Sequence, residues 1–137
     1  MGLLSRKNVL EAEDLVIEKV DLSEFKGYEG GFVYVRNLGG LARDKFEGSL
    51  VGKDGKTPVY DNIRAKLVAR TACDETGKRL FTDADIDILT MKSAAMLQKI
   101  FEVAQRLSGI GAKDIEEMTA NLKNAQSGDS TSDSPVT

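Results

Sequence analysis

The longest uninterrupted apolar pattern in the chain predicts an amphipathic helix near residues 93–107. Apolar side chains recur there at the spacing of three and four residues that places them along one helical face. Ser93 or Thr90 is expected to begin this helix, and Ser108–Gly109 to end it. We expect the rest of the domain to pack on its apolar face, which consists of Met96, Leu97, Ile100, Phe101, Ala104 and Leu107.

Two other stretches have the composition or the two-residue period of β-strands. Residues 15–22 are rich in β-branched side chains, with Val16, Val20 and Leu22 on one face, and residues 32–38 alternate as FVYVRNL. The glycine-rich loop between them predicts an antiparallel hairpin. Because an isolated hairpin is only marginally stable in water, its apolar face is expected to lie on helices.

Three further helices are expected before the long one. The first is capped by Ser5, the second covers LARDKFEGSLV and stops at Gly52, and the third is capped by Asp61 and ends near Cys73. A capping box of Thr82 and Asp85 predicts a further helical start. The inward positions expected in the three helices are, in turn, Val9, Leu10 and Ala12; Ala42, Phe46 and Leu50; and Ile63, Leu67, Val68 and Thr71.

After a hinge at Gly109–Gly111, Asp114 is expected to cap a last short helix with Ile115, Met118 and Leu122 along one side. These three side chains either dock on the core or face a partner, and they are the candidate partner-binding residues. From residue 126 onward Val136 is the only strongly apolar residue, so a disordered tail over residues 125–137 is expected. The patterns together predict an α+β fold: one mainly helical domain, residues 1–124, with an N-terminal antiparallel β-hairpin packed on helices.

The composition argues against several classes of protein. The net charge is −3 with both signs interleaved, so the basic stripe of a nucleic-acid-binding protein is missing. No apolar run is long enough to cross a membrane, and the first residues do not have the pattern of a signal peptide. The single cysteine, Cys73, excludes an internal disulfide and is consistent with a reducing cytoplasm.

The chain contains no histidine, which removes the usual general base and the commonest metal ligand. Residues 74–85 begin and end with carboxylates, but Arg79 stands where a calcium loop needs glycine, so a turn followed by a helix cap is the better interpretation. Asp83, Asp85 and Asp87 are interpreted as a solvated helix start rather than an ion site. We expect no catalytic residue, cofactor or metal, and we expect Cys73, Met91 and Met96 to lie in the core.

The order of motifs resembles that of the tail assembly chaperones of long, non-contractile-tailed phages, the group functionally similar to the lambda tail chaperone. The resemblance spans Val16 to Leu122. It is carried by FVYVRNL followed by LARDKFE, by the run R-A-x-L-V-A-x-T…D-x-x-G-K-x-L-F-T-D-x-D, and by S-A-A-x-L-x-x-I-F-x-V-A-x-R-L. These are packing and turn patterns, so their order and combined length, rather than any catalytic signature, carry the identification.

The resemblance implies a non-enzymatic protein of the host bacterial cytoplasm that binds the phage tape measure protein and keeps it soluble during tail assembly. It implies self-association, absence from the mature virion, and a longer product of a programmed frameshift that recruits the tail tube protein. This chain would be the shorter product, and codons for Leu122–Asn124 can contain a slippery heptamer. The alternative is a structural head–tail connector or tail terminator protein that is retained in the virion.

Overall fold

The computed structural model describes residues 2–111 of the chain. They contain five α-helices and three strands, and a 3₁₀ turn, Asp83–Asp85, leads into the fourth helix. The elements are α1 (Arg6–Leu10), β1 (Ile17–Asp21), β2 (Phe32–Arg36), α2 (Gly40–Gly48), α3 (Ile63–Thr71), β3 (Ala72–Cys73), α4 (Ile86–Leu89) and α5 (Ala94–Leu107).

The strands form one antiparallel sheet in the order β1-β2-β3. The expected hairpin is confirmed, with Ile17 opposite Arg36 at one end and Asp21 opposite Phe32 at the other. The third strand was not predicted. It continues directly from α3 and pairs with the middle of β2 through only two residues, which is too short to leave a pattern in the sequence.

Helix α5 lies at the centre of the core, as its pattern predicted. Its apolar face is buried from Met96 to Ala104 and packs chiefly on α3, with further contacts to β1 and β2. Ser93, not Thr90, caps the helix, because its side-chain oxygen accepts the backbone N–H of Met96 at 3.2 Å. Val35 of β2 and Leu67 of α3 are fully buried against this face. The predicted fold class, α+β with a hairpin packed on helices, is confirmed.

Helix α1 is not part of the core, so the expectation that Val9, Leu10 and Ala12 face inward is wrong. Its local signal was correct, since Ser5 and Asn8 form a reciprocal capping box. However, Val9 and Leu10 are 59% and 64% exposed. A capping box specifies where a helix begins, but not what the helix packs against. We call residues 2–16 the N-terminal arm.

Several helix ends differ from their predictions. Asn62 in a left-handed conformation, rather than Asp61, precedes α3, and its side chain makes no capping hydrogen bond. Helix α2 ends at Gly48, before the predicted stop at Gly52. A bridge between Val51 and Pro58 closes the following loop, which explains the earlier end.

Two apolar residues were assigned wrongly. Met91 is 84% exposed, whereas Met96 is buried as expected. Ile110 was placed in a hinge, yet it is only 2% exposed. Gly109 has a positive φ of 72°, which turns the chain so that the Ile110 N–H reaches the carbonyl of Gln105 and its side chain enters the core. The Ile110 side chain therefore anchors the segment after α5 to the core.

The candidate partner-binding residues Ile115, Met118 and Leu122, and the predicted tail 125–137, lie outside the described residues.

Candidate functional site

An apolar groove lies between the closed end of the hairpin and the N-terminal end of α5. It encloses a cavity of about 400 Å³, within the roughly 300–1,000 Å³ that is typical of ligand pockets. Its floor includes Val68 of α3. The hairpin side contributes Leu22, Phe32 and Val33, and the helical side contributes Ile88, Leu89, Met96 and Ile100.

The hairpin wall is shaped by the loop between β1 and β2. The N–H of Gly31 donates to the carbonyl of Tyr28 at 2.8 Å, and the N–H of Leu22 donates to the carbonyl of Gly31 at 3.0 Å. The Phe32 ring stands edge-on to Tyr34 with ring centres 5.6 Å apart, and the Lys19 ammonium lies 4.2 Å from the centre of the Phe32 ring. These contacts hold a half-exposed aromatic ring at the rim of the groove.

The helical wall is positioned by the predicted capping box. The Asp85 carboxylate accepts the backbone N–H of Thr82 at 2.8 Å, which fixes the start of the turn that leads into α4. Asp83 then joins this turn to α3 and to the segment that precedes the turn through ion pairs with Arg70 at 3.2 Å and Arg79 at 3.1 Å. The hydrogen bond from Arg79, followed by the charges of the two arginines, lowers the pKa of Asp83 below its usual value.

One turn of helix then exposes Ile88 at the rim of the groove. Ile88 is 63% exposed, while its neighbour Leu89 is 7% exposed and faces the core. Met91, three residues later, is also exposed, but it does not line the groove. Asp85 and Lys92 are the charged residues of the lining. The site is therefore suited to apolar side chains with polar groups at their edges.

Asp74, Asp83 and Asp85, three of the acidic residues considered for metal binding, have structural partners. The Asp74 carboxylate accepts the N–H groups of Thr76 at 2.8 Å and Lys78 at 3.1 Å, the arrangement of a turn. These hydrogen bonds lower the pKa of Asp74, the side-chain bond from Thr76 most of all. Within residues 2–111, no group of three potential metal ligands lies close enough to hold an ion. Cys73 is 1% exposed, and burial raises the pKa of its thiol, in agreement with the prediction of a core cysteine.

The groove was missed by reasoning from the sequence. Its lining comes from the hairpin, the β1–β2 loop, α3, the turn before α4, α4 and α5, each contributing a few residues, so no contiguous motif marks it. Nothing in the sequence distinguished the exposed Ile88 from a core residue, and Met91, which is also exposed, was expected in the core. The described part of the chain also has no helix that is long and apolar enough to span a membrane.

No protein-family model and no curated protein matches the chain. Among solved structures, the fold is similar to the structure of the bacteriophage HK97 tail assembly chaperone, with a TM-score of 0.52 and 17% sequence identity. The similarity covers 74% of this chain and 94% of the other. The two proteins share a fold, so the fold expected from the resemblance in the motifs is confirmed.

Proposed function

We propose that this chain is a non-enzymatic assembly chaperone for the tail of a long, non-contractile-tailed phage. In this proposal it binds the tape measure protein in the host cytoplasm, keeps it soluble until the tail tube forms around it, and is absent from the mature virion. The observation that carries the proposal is the apolar groove on a fold shared with a phage tail assembly chaperone.

The chemistry of the groove supports a helical client. An amphipathic helix inserts a few apolar side chains into a groove and leaves its polar face in water. Phe32 on the hairpin wall is 48% exposed and Ile88 on the helical wall is 63% exposed, so both are accessible to a client. Asp85 and Lys92, which carry opposite charges, also line the groove. They would orient a client helix that places a basic residue beside Asp85 and an acidic residue beside Lys92.

Further contacts complete the proposal. Ile115, Met118 and Leu122 provide a second apolar surface for the tape measure protein. Copies of the chain self-associate, and a longer form of the protein, made by a programmed frameshift, recruits the tail tube protein. These parts rest on the motif resemblance and on the spacing of the three apolar residues in the sequence.

Coexpression with the tape measure protein tests the proposal. The wild-type chain is expected to keep the tape measure protein in the soluble fraction and to copurify with it. Ile88→Glu places a charge at the rim and is expected to weaken binding at least tenfold, because the carboxylate loses water when an apolar helix covers it. Leu41→Glu is the matched control, since Leu41 is 71% exposed on α2 and does not line the groove.

Equal binding by the Ile88→Glu variant and the wild type would show that the groove is not the client site.

The Met118→Glu/Leu122→Glu variant tests the second surface in the same assay. Its melting temperature distinguishes a loss of binding from unfolding. Mass spectrometry of purified virions addresses the alternative function. Stoichiometric amounts of this chain in the particle would identify a connector or terminator protein and contradict a chaperone.

A further inference from the structure

One side chain of α5, Lys99, holds the β1–β2 loop, residues 22–31, against the helical part of the domain. Its ammonium donates to the carbonyl of Asp21 at 2.6 Å, forms an ion pair with the Glu24 carboxylate, and lies 5.9 Å from the centre of the Phe25 ring. These partners are the last residue of β1 and the first turn of the loop. A carbonyl, a carboxylate and an aromatic face each attract a positive charge, so the three contacts act together on one group.

Within residues 2–111, no other hydrogen bond or ion pair joins this loop to a helix. The remaining hydrogen bonds of residues 22–31 stay inside the hairpin. For example, the N–H of Phe25 donates to the carbonyl of Leu22, and the N–H of Tyr28 donates to the carbonyl of Phe25, each at 3.0 Å. Apolar packing of Phe25 and Tyr28 also contributes, but it is not directional. Lys99 therefore supplies the directional contacts that fix the loop on α5.

The same loop forms part of the hairpin wall of the apolar groove. Leu22, Tyr28 and Gly31 line the groove, and the hydrogen bonds within the loop join them to the turn that Lys99 holds. Lys99 does not line the groove, although its neighbour Ile100 does. Its side chain is therefore placed to act on the groove through the loop.

We propose that Lys99 is a positioning residue of the client groove. By holding the first turn of the loop on α5, it keeps Leu22 and Tyr28 at the separation from Ile100 that an apolar helix requires. Without the ammonium, the wall is in place in only a fraction of the molecules, and the affinity for a client falls by that fraction. The inference rests on the proposed function for the identity of the client.

Lys99→Met tests the inference, because it keeps the apolar part of the side chain and removes the ammonium. Binding of the tape measure protein is expected to weaken about tenfold. The melting temperature should stay close to that of the wild type, since the ion pair lies at the surface. Lys99→Arg retains a positive charge and is expected to recover most of the affinity. Lys26→Met is the matched control: Lys26 is an exposed residue of the same loop, does not line the groove and has no ion pair within residues 2–111.

Hydrogen–deuterium exchange of the complete chain, with no client present, measures the position of the wall directly. Lys99→Met is expected to speed exchange at the amides of Phe25 and Tyr28 at least about tenfold and to leave α3 unchanged. Lys26→Met should change neither. Because this measurement needs no client, failure of the wild type to bind the tape measure protein would refute the proposed function and leave the role of Lys99 in the wall to be decided by the exchange rates.

Glu24→Gln separates positioning from direct contact with the client. Glu24 is exposed, so this variant folds even if Lys99→Met does not, and it is expected to shift binding and loop exchange in the same direction by a smaller factor. Adding Glu24→Gln to Lys99→Met should weaken binding no further. Wild-type binding or wild-type loop exchange in Lys99→Met, additive losses in the double variant, or no recovery in Lys99→Arg would overturn the inference. Weak binding with unchanged exchange would identify Lys99 as a direct client contact instead.

Discussion

Replacing Ile110 with alanine tests whether its side chain anchors the segment after α5 to the core or belongs to a flexible hinge. The side chain is 98% buried relative to its exposed state, and the substitution removes three carbon groups at about 0.8 kcal/mol each. This transfer contribution is about 2.4 kcal/mol, and the cavity left behind raises the expected loss of unfolding free energy to about 3 kcal/mol, within the range measured for such substitutions. A flexible hinge residue would contribute almost nothing.

Urea unfolding followed by circular dichroism measures this difference. The midpoint is expected to fall with the slope unchanged, since the amount of surface exposed on unfolding stays nearly the same. Ile88→Ala is the control, because Ile88 is 63% exposed and its truncation is expected to change stability by less than about 0.5 kcal/mol. If Ile110→Ala lowers the free energy of unfolding as little as the control does, Ile110 does not anchor this segment and the hinge interpretation is correct.

Two turns provide further predictions. The pKa of Asp54 is lowered to about 2 from its usual 3.8, chiefly by the side-chain hydrogen bond from Thr57 and then by backbone N–H groups. Because the folded pKa is depressed, its contribution is fully present above pH 3.8 and is lost as the pH falls through about 2. Asp54→Ala should therefore lower the unfolding free energy at neutral pH, and this deficit should shrink as the pH approaches 2 in urea titrations; a pH-independent deficit would contradict the assignment. Gly77 has a φ of 91°, and a Cβ there would lie 2.9 Å from Leu15, so Gly77→Ala should cost about 1–3 kcal/mol in thermal unfolding, unlike Gly48→Ala, where nothing lies within 4 Å.

The parts of the fold that were predictable are those with a local cause. The apolar face of α5 repeats through several turns, and Ser93 supplies its own capping bond, so both could be recognised in the sequence. The hairpin likewise follows from alternation and a glycine-rich loop. The turn at Asp74 depends on hydrogen bonds within five residues, and it was interpreted correctly.

The errors concern what a segment packs against. The Ser5 cap was recognised, but the position of α1 depends on hydrogen bonds between the arm and Asn37, far along the chain. Whether Met91 or Met96 faces the core depends on where one turn of helix ends and α5 begins. The candidate site could not be predicted for the same reason. The groove depends on how the hairpin packs on α3 and α5, and no local sequence pattern specifies that packing. The candidate residues Ile115, Met118 and Leu122 remain predictions.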